Sequence, residues 1–279
     1  MNKKSKTTLG WTAFYLFVIL FVIILILPFF WQFMTSIKPL NEISAMPAKW
    51  IPGYVHFEFY RNVFTLHPFA RYMLNSFIVA TSSTLLSLVI GAMAAYALAR
   101  LRFTGRRVLL MVILSVSMFP TIATLSPLYL ILRNMKLLNT YFGLIIPYIT
   151  FSLPMAIWLM TSFFSQLDGG FEEAAALDGC TRMQTFTRIM LPLIKPATFS
   201  VGLLVFINCW NEYLYALTFM TKEEMRTVPV GIALFPSINK LPWGDMAAAS
   251  IVVTLPLIIL VLIFQKNIIA GLTTGGMKG

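Results

Sequence analysis

Residues 172–196, EEAAALDGCTRMQTFTRIMLPLIKP, are a polar, charged segment in the middle of an otherwise apolar chain. Glu172 and Glu173 lie where the positive end of a helix would begin and are followed by three alanines, which favours a helix that stops before Asp178. Asp178 and Gly179 predict a sharp turn, because glycine reaches positive φ at little cost. The segment contains no nucleophile paired with a base, so it suits the docking of another protein better than catalysis.

A second short helix is predicted over residues 181–190, and Leu191 and Pro192 are expected to end it. Its basic side carries Arg182 and Arg188, and its apolar side carries Met183, Phe186, Ile189 and Met190. Two short helices joined by a turn, with apolar segments on both sides, indicate a docking surface. The alternative is an amphipathic loop that lies on the bilayer surface.

The composition is that of a membrane protein. Hydrophobic residues make up 58% of the chain and charged residues 11%, against about 25% charged residues in soluble domains. A membrane-spanning helix needs about 20 apolar residues, and six runs qualify, at residues 11–37, 73–99, 106–132, 140–166, 196–220 and 247–268. We therefore predict an all-α polytopic membrane protein with six transmembrane helices between residues 11 and 268.

The loops and tails follow from these spans. The prediction places an N-terminal tail at 1–10, an external loop at 38–72, a central loop at 167–195 and a C-terminal tail at 269–279. The external loop and the start of the next span are rich in aromatic residues, namely Phe57, Phe59, Tyr60, Phe64, Phe69 and Tyr72. This segment is expected either to form an interfacial amphipathic helix that meets an external partner, or to form an aromatic belt at the headgroups.

The distribution of basic residues predicts the orientation of the spans. The segments on one side are dense in basic residues: Lys3, Lys4, Lys6, Arg100, Arg102, Arg106, Arg107, Arg182, Arg188 and Lys195. That side, with both termini, is expected to be cytoplasmic. Because the basic residues are spread over separate loops, the net charge of +11 is a topology signal and no nucleic-acid partner is expected. The first apolar run is too long for a signal peptide and is expected to remain as a span.

Glu212 is the acidic residue predicted to lie well inside a span, where ionisable side chains are costly. It belongs to the sequence NCWNEYLY, which begins at Asn208. On a continuous helix, Asn208, Glu212 and Tyr215 share one face, whereas Trp210 and Asn211 point to other sides. These five residues are candidates for a polar patch beside a translocation pathway. The alternative is that they form hydrogen bonds that join neighbouring helices.

Prolines and small residues predict bent and closely packed spans. Gly91 and Ala95 offer a face for close helix contact. The prolines expected to kink the third and fourth spans, or to free carbonyl groups there, are Pro120, Pro127, Pro147 and Pro154.

Neither a catalytic site nor a metal site is predicted. Cys180 and Cys209 fall in different predicted environments, so no disulfide is expected. His56 and His67 have no partner at metal-site spacing. The phosphate-binding pattern G-x-x-x-x-G-K-[ST] is absent, so any ATP hydrolysis is expected in another subunit. A polytopic membrane enzyme would need more intramembrane acidic or histidine residues than Glu212.

The central segment resembles the EAA loop of the membrane subunits of ABC importers. The matching pattern is Glu173-Ala174-Ala175, three residues, Gly179, nine residues, Ile189, one residue, and Leu191-Pro192. Four further stretches resemble the MalG-type subunits of carbohydrate importers: KPLNEISAMPAKWIP from Lys38, PFARYMLNSFIVA from Pro68, CWNEYLYAL from Cys209 and GLTTGGMKG from Gly271. The resemblance covers nearly the whole chain.

This resemblance implies the type I permease fold of ABC importers, in a prokaryotic cell membrane, and uptake of a sugar such as an oligosaccharide by alternating access. Glycerol phosphate or another polar solute is the alternative cargo. The implied partners are a sister MalF-type permease, a dimer of ATPase subunits, an extracytoplasmic solute-binding protein and the lipid bilayer. ATP and Mg²⁺ would be bound by the ATPase, and this chain is expected to bind no cofactor.

The resemblance also implies roles for residues. Contact with the ATPase, or coupling to it, is expected of Glu172, Glu173, Ala174, Ala175, Asp178, Gly179, Ile189, Leu191 and Pro192. A second contact with the ATPase is expected of Gly275, Gly276, Lys278 and Gly279, for which a frayed terminus is the alternative.

Overall fold

The computed structural model describes residues 3–235 and 242–276, and the side chains of 11–235 and 242–265. Every regular element within these residues is a helix, which confirms the predicted all-α fold. The α-helices are α1 (Lys3–Ser36), α2 (Leu40–Ile43), α3 (Glu58–Thr65), α4 (Phe69–Arg100), α5 (Arg106–Val116), α6 (Thr121–Asn134), α7 (Phe142–Gln166), α8 (Gly170–Leu177), α9 (Arg182–Thr185), α10 (Leu191–Leu193), α11 (Lys195–Asn211), α12 (Leu214–Phe219), α13 (Val228–Ala233) and α14 (Trp243–Gly276). A π-helix covers Phe186–Met190, and a 3₁₀-helix covers Glu223–Met225.

Four of the described helices are long and apolar enough to cross a membrane. These segments are Trp11–Ser36, Phe69–Arg100, Phe142–Gln166 and Trp243–Gln265. The predicted first, second, fourth and sixth spans are therefore confirmed as apolar helices of spanning length. The total rises to six if each of two bent helix pairs counts as one span. A 26-residue helix such as Trp11–Ser36 is about 39 Å long at 1.5 Å per residue, which exceeds the hydrocarbon thickness of about 30 Å.

The third predicted span is broken. Helices α5 and α6 are bent by 87° where the chain passes between them. Pro120 precedes α6 with an extended ψ of 127°. Proline has no N–H for a continuing helix and disfavours helical backbone in the residue before it, so the preceding helix α5 ends before Pro120. The predicted kink at Pro120 is confirmed. Pro127 lies inside α6, and Pro147 and Pro154 lie inside α7.

The fifth predicted span, at 196–220, is wrong as a single helix. Helix α11 ends at Asn211, and α12 begins at Leu214 after two residues that are not helical. The residue between them that carries the extended backbone is Glu212, with φ −67° and ψ 131°. The side chain of Glu212 accounts for this break, because it accepts N–H groups at the start of α12.

The chain divides into two compact units. The first comprises Met1–Pro68 and Ile232–Leu255, and the second comprises Phe69–Gly231 and Pro256–Gly279. In the second unit, α4 and α7 pack closely at their small residues. A Cβ built on the buried Gly91 would lie 3.4 Å from the Cβ of Ala156, and Ala95 is fully buried. The predicted small-residue face of α4 is confirmed.

The sequence predicted that the segment after α1 could form one amphipathic helix. In the first unit, this segment does not form one continuous helix. It contains α2 and α3 with an irregular stretch between them. This stretch includes Pro47 and Pro52, which lack the N–H that a helix needs. Glu42 holds this stretch: it accepts hydrogen bonds from Lys49 Nζ at 2.7 Å and from the Gly53 N–H at 3.0 Å. The hydrogen bond from Lys49, followed by that from Gly53, lowers the pKa of the Glu42 carboxyl.

The aromatic residues of this region divide between the interior and the surface. Phe59, Phe69 and Tyr72 are buried, whereas Phe57 and Phe64 are exposed. Helix α3 is amphipathic. The amphipathic helix in this region covers only Glu58–Thr65 and is shorter than the predicted interfacial helix.

Candidate coupling loop and intramembrane polar cluster

The central segment folds as two helical pieces joined by a left-handed turn. Helix α8 carries Glu172 and Glu173 in its first turn and ends at Leu177. Gly179 has φ +75°, and the N–H of Cys180 donates to the carbonyl of Ala175 at 2.9 Å. Together with the left-handed glycine, this hydrogen bond closes the helix with a Schellman-type turn. The predicted helix and glycine turn are confirmed.

The second helical piece begins with a capping box. The hydroxyl of Thr181 accepts the N–H of Gln184, and the side chain of Gln184 accepts the N–H of Thr181. Such reciprocal bonds satisfy two N–H groups that a helix start leaves unpaired. The piece continues from α9 through the π-helix into α10. We refer to residues 172–193 as the coupling loop.

The prediction that Leu191 and Pro192 end this piece is wrong. Helical structure continues to Leu193, and the chain turns at Ile194 before α11 begins. Pro192 lies in the first turn of α10, where a missing N–H costs little. The helical segments on the two sides of this turn are bent by 78°.

The two glutamates at the start of α8 have different environments. Glu172 Oε2 lies 2.7 Å from Arg100 Nη2 and 2.8 Å from Arg100 Nε. Glu172 Oε1 accepts the hydroxyl of Tyr96 at 2.9 Å. Arg100 also donates to the carbonyl oxygens of Leu167 and Asp168. Glu172 thus anchors the coupling loop to the end of α4.

The carboxylate of Glu173, in contrast, lies on an exposed side chain. The rest of the predicted coupling set divides in the same way. Exposed residues are Glu173, Ala174, Asp178, Gly179 and Pro192, while Ala175 is buried and Glu172, Ile189 and Leu191 are half-buried. Leu177 was not among the predicted residues, yet it is 89% exposed at the tip of the loop. An apolar side chain exposed to this degree, beside the exposed glutamate, marks the protruding surface of the loop.

The apolar side of the second helical piece is partly as predicted. Phe186 and Met190 are buried, and the ring of Phe186 lies 5.1 Å from that of Tyr96. Met183, however, is exposed. The π-helix accounts for this difference, because its wider turn changes the angular spacing that a regular α-helix would give.

Sequence reasoning missed Tyr96 and Arg100 as partners of the coupling loop. They are four residues apart on α4 and so lie on one face of that helix. The signal was present in the sequence as an arginine and a tyrosine at the end of the second span.

Glu212 lies in the gap between α11 and α12, and its carboxylate accepts hydrogen bonds from α12 and from α7. Its Oε1 accepts the N–H of Tyr215 at 2.9 Å, and its Oε2 accepts the N–H of Ala216 at 3.1 Å. The same Oε2 accepts the hydroxyl of Tyr148, on α7, at 2.6 Å. A carboxylate that satisfies the free N–H groups at a helix start is a capping group. This capping stabilises the break that the sequence did not predict.

The other members of the predicted polar patch do not form one face. Tyr215 is buried, its ring stacks on Phe151, and its hydroxyl lies 2.7 Å from that of Thr124. Because the helix ends at Asn211, Asn208 does not share a helical face with Glu212 and Tyr215. Asn208 and Asn211 are exposed.

Trp210 is buried and stacks with Phe206 at a centroid distance of 5.5 Å. Its Nε1 has no hydrogen-bond partner within the described residues. The structure therefore joins Glu212 and Tyr215 with Tyr148 and Thr124 in a polar cluster, and places the three remaining candidates elsewhere.

The remaining predicted residues are located as follows. Gly275 and Gly276 are the last two residues of α14, whereas Lys278 and Gly279 lie outside the described residues. Cys180 and Cys209 are free thiols. No group of three His, Cys, Asp or Glu side chains is placed to hold a metal ion in the part of the chain that the structure describes.

The two histidines belong to the first unit. The imidazole of His56 lies 3.2 Å from the carboxylate of Glu58. The ring of His67 stacks on that of Phe235, with centroids 3.9 Å apart.

The family model described as the inner membrane component of binding-protein-dependent transport systems matches residues 87–274. The trehalose/maltose transport system permease protein MalG of Thermococcus litoralis is 42% identical over 265 residues, which are 94% of each chain. The sulfoquinovosyl glycerol transport system permease protein SmoH of Agrobacterium fabrum is 40% identical over 252 residues, 90% of this chain and 88% of the relative.

A solved structure has the same fold. It is a chain of a bacterial ABC transporter involved in the import of the acidic polysaccharide alginate, and it matches with a TM-score of 0.81 at 25% identity. The match covers 95% of this chain and 98% of the other. Since the family model spans more than half of the sequence and both relatives match over most of their length, this chain belongs to the family of inner-membrane components of binding-protein-dependent transport systems.

Proposed function

We propose that this chain is the permease subunit of an ATP-driven ABC importer for sugars and that it forms half of the translocation pathway. Family membership supports a role in binding-protein-dependent transport. The sugar cargo is supported by relatives whose names include trehalose/maltose and sulfoquinovosyl glycerol transport, each with about 40% identity to this chain. The observation that carries the proposal is the anchored, protruding coupling loop.

The coupling loop is proposed to transmit the movement of a separate ATPase subunit. Glu173, Ala174, Leu177, Asp178 and Gly179 form its exposed tip, which is the part available to a docking protein. Behind the tip, the partly buried pair of Arg100 and Glu172 joins the loop to α4 and resists its displacement. A force on the tip would thereby reach a membrane-spanning helix instead of bending the loop alone.

This division assigns two kinds of role within the predicted coupling set. The exposed Glu173, Ala174, Asp178, Gly179 and Pro192 contact the ATPase. The buried or half-buried members, Glu172, Ala175, Ile189 and Leu191, hold the loop in shape. Gly275, Gly276, Lys278 and Gly279 are proposed as a second contact.

Hydrolysis of ATP is proposed to occur in a dimer of ATPase subunits, which bind ATP and Mg²⁺, and this chain binds no cofactor. A sister MalF-type permease supplies the other half of the pathway, and an extracytoplasmic solute-binding protein delivers the cargo. The coupling loop and both termini face the cytoplasm, as the density of basic residues supports. Closure of the ATPase dimer moves the loop and changes the pathway from inward-open to outward-open.

The polar cluster is proposed to line or support the pathway at mid-membrane. Glu212, Tyr148, Tyr215 and Thr124 connect α6, α7, α11 and α12 through hydrogen bonds. The Glu212 carboxylate accepts three hydrogen bonds and holds these helices together in the gap between α11 and α12. Asn208 and Asn211, which are exposed, are the members of the predicted patch best placed to meet cargo.

Gentle purification of the full chain with its membrane partners tests the proposal. The purified assembly would be assayed for ATP hydrolysis with solute-binding protein that carries maltose, trehalose or glycerol phosphate. We expect an ATPase and a second permease to co-purify, and a sugar-loaded binding protein to stimulate hydrolysis. Stimulation by glycerol phosphate alone would reject the sugar assignment. Purification of the chain without any ATPase would reject the coupling role.

A further inference from the structure

The second unit contains a groove of about 730 Å³ beside the coupling loop. Helix α4 contributes Phe77 and Leu85 to its lining, α11 contributes Phe199, and the C-terminal half of α14 contributes Leu260 and Phe264. The coupling loop contributes Thr187, Leu191 and Pro192. The lining is almost entirely apolar, and Lys195 is the charged residue among the described side chains that form it.

The groove opens towards the outside of the protein along helices that span the membrane. Phe77 and Leu85 are more than half exposed, so the groove faces the hydrocarbon of the bilayer. From Lys195 to Phe206, its lining follows α11 over 11 residue steps, which is about 16 Å at the helical rise. This length is close to half of the hydrocarbon thickness of about 30 Å, the depth of one leaflet.

One end of the groove carries a positive charge without an acidic partner. Lys195 is exposed, and it forms no ion pair within the described residues. It is also the first residue of the 17-residue helix α11, whose positive end adds to the local potential. An apolar groove that follows α11 for about the depth of one leaflet, starting at an unpaired cation, is complementary to a lipid that has an acyl chain and a negative headgroup.

We propose that this groove binds an anionic phospholipid of the cytoplasmic leaflet, with its phosphate paired with Lys195 and an acyl chain along α11. The assignment to this leaflet rests on the cytoplasmic position of the coupling loop in the proposed function. The bound lipid contacts Thr187 and Leu191, and so supports the coupling loop from the membrane side. Removal of the lipid is expected to loosen the loop.

Lipid titration followed by native mass spectrometry tests the proposal. The full chain, purified in mild detergent with any partners that remain bound, would be titrated with palmitoyl-oleoyl phosphatidylglycerol or with the matching phosphatidylcholine. We expect tighter binding of phosphatidylglycerol, and a loss of about five-fold in its affinity in Lys195→Ala. Lys222→Ala removes the same charge from another exposed site and is expected to keep the preference.

A second pair of variants tests the acyl-chain site. Leu260→Trp places a larger side chain in the groove and is expected to weaken both lipids. Ile259→Trp, at an exposed neighbouring position that does not line the groove, is expected to leave binding unchanged. These variants do not alter the charge at Lys195, so they separate the acyl contact from the phosphate contact.

Three results would overturn the proposal: equal binding of the two lipids, equal behaviour of the Lys195 and Lys222 variants, or loss of the site when a sister permease is bound. The last would identify a partner subunit as the occupant of the groove. Failure of an ATPase to co-purify would reject the proposed function but would leave the lipid titration of the lone chain interpretable.

Discussion

Replacement of Arg100 by alanine should release the coupling loop from α4. The substitution removes both contacts to the Glu172 carboxylate and the hydrogen bonds to the carbonyl oxygens of Leu167 and Asp168. Among the described residues, the hydroxyl of Tyr96 is then the remaining hydrogen-bond partner of the Glu172 carboxylate. The expected result is a loop that opens more often while the membrane-spanning helices stay folded.

The magnitude follows from burial. The side chain of Arg100 is 12% exposed and that of Glu172 is 27% exposed. Fully exposed pairs contribute about 0–1 kcal/mol, and removal of one partner from a buried pair costs about 3–5 kcal/mol. For this intermediate case we expect a loss of about 2 kcal/mol, which corresponds to about 30-fold more frequent opening, since about 1.4 kcal/mol is a factor of ten.

Hydrogen–deuterium exchange of the full chain in lipid nanodiscs measures this opening directly. Amides at 174–180, whose hydrogen bonds close α8 and its turn, should exchange about 30-fold faster in Arg100→Ala. Arg102→Ala removes an exposed arginine nearby and should change little. In Glu172→Gln the effect of Arg100→Ala should shrink, because the charged pair is already lost. Exchange within two-fold of the parent protein in Arg100→Ala would refute the anchoring role.

Three further outcomes are expected. Gly179→Pro should abolish sugar uptake without loss of membrane insertion, because proline cannot adopt φ +75°. Gly179→Asn should retain uptake, since asparagine tolerates this conformation and a Cβ there meets no atom within 4 Å. Uptake assays, corrected for the amount of each variant in the membrane, distinguish the two variants. Equal uptake by both would refute the turn argument. Glu212→Ala should destabilise the chain by about 3 kcal/mol, because Tyr148 and two N–H groups lose a charged acceptor. Glu212→Gln should recover part of the loss. Thermal unfolding in detergent checks this, and an unchanged midpoint in Glu212→Ala would contradict the capping role. Because hydrogen bonding lowers the pKa of Glu42 in the folded state, its contribution to stability is present above the ordinary glutamate value and is lost as the pH falls through the lowered pKa. The difference in melting temperature between the parent protein and Glu42→Gln should therefore become smaller at acidic pH. A difference that grows on acidification would contradict the lowered pKa of Glu42.

The sequence predicted features that depend on local chemistry. The turn at Gly179 follows from the freedom of glycine, and the kink at Pro120 follows from the missing N–H of proline. The close approach of α4 to α7 at Gly91 follows from small side chains. Each of these outcomes is set by residues that are neighbours in sequence or by the size of a single side chain.

Features that depend on contacts between distant residues were missed. Glu172 appeared equivalent to Glu173 until Arg100, 72 positions earlier, was found to hold it. Glu212 was assigned to a continuous helix because it lies within an apolar run of spanning length, at residues 196–220. The carboxylate instead caps the next helix and binds Tyr148 from α7. Hydropathy cannot distinguish a helix interior from a break that a side chain satisfies.

Site-specific photo-crosslinking from Leu177 tests the central claim most directly. Leu177 is 89% exposed at the tip of the coupling loop, so a benzophenone amino acid placed there should capture the ATPase subunit in membranes that contain the complete transporter. The same probe at Phe57, which is 65% exposed in the first unit, should capture no ATPase. An ATPase adduct from Leu177 alone is the result that the account predicts. Capture of lipid without any ATPase at Leu177, in membranes where sugar uptake is intact, would contradict it.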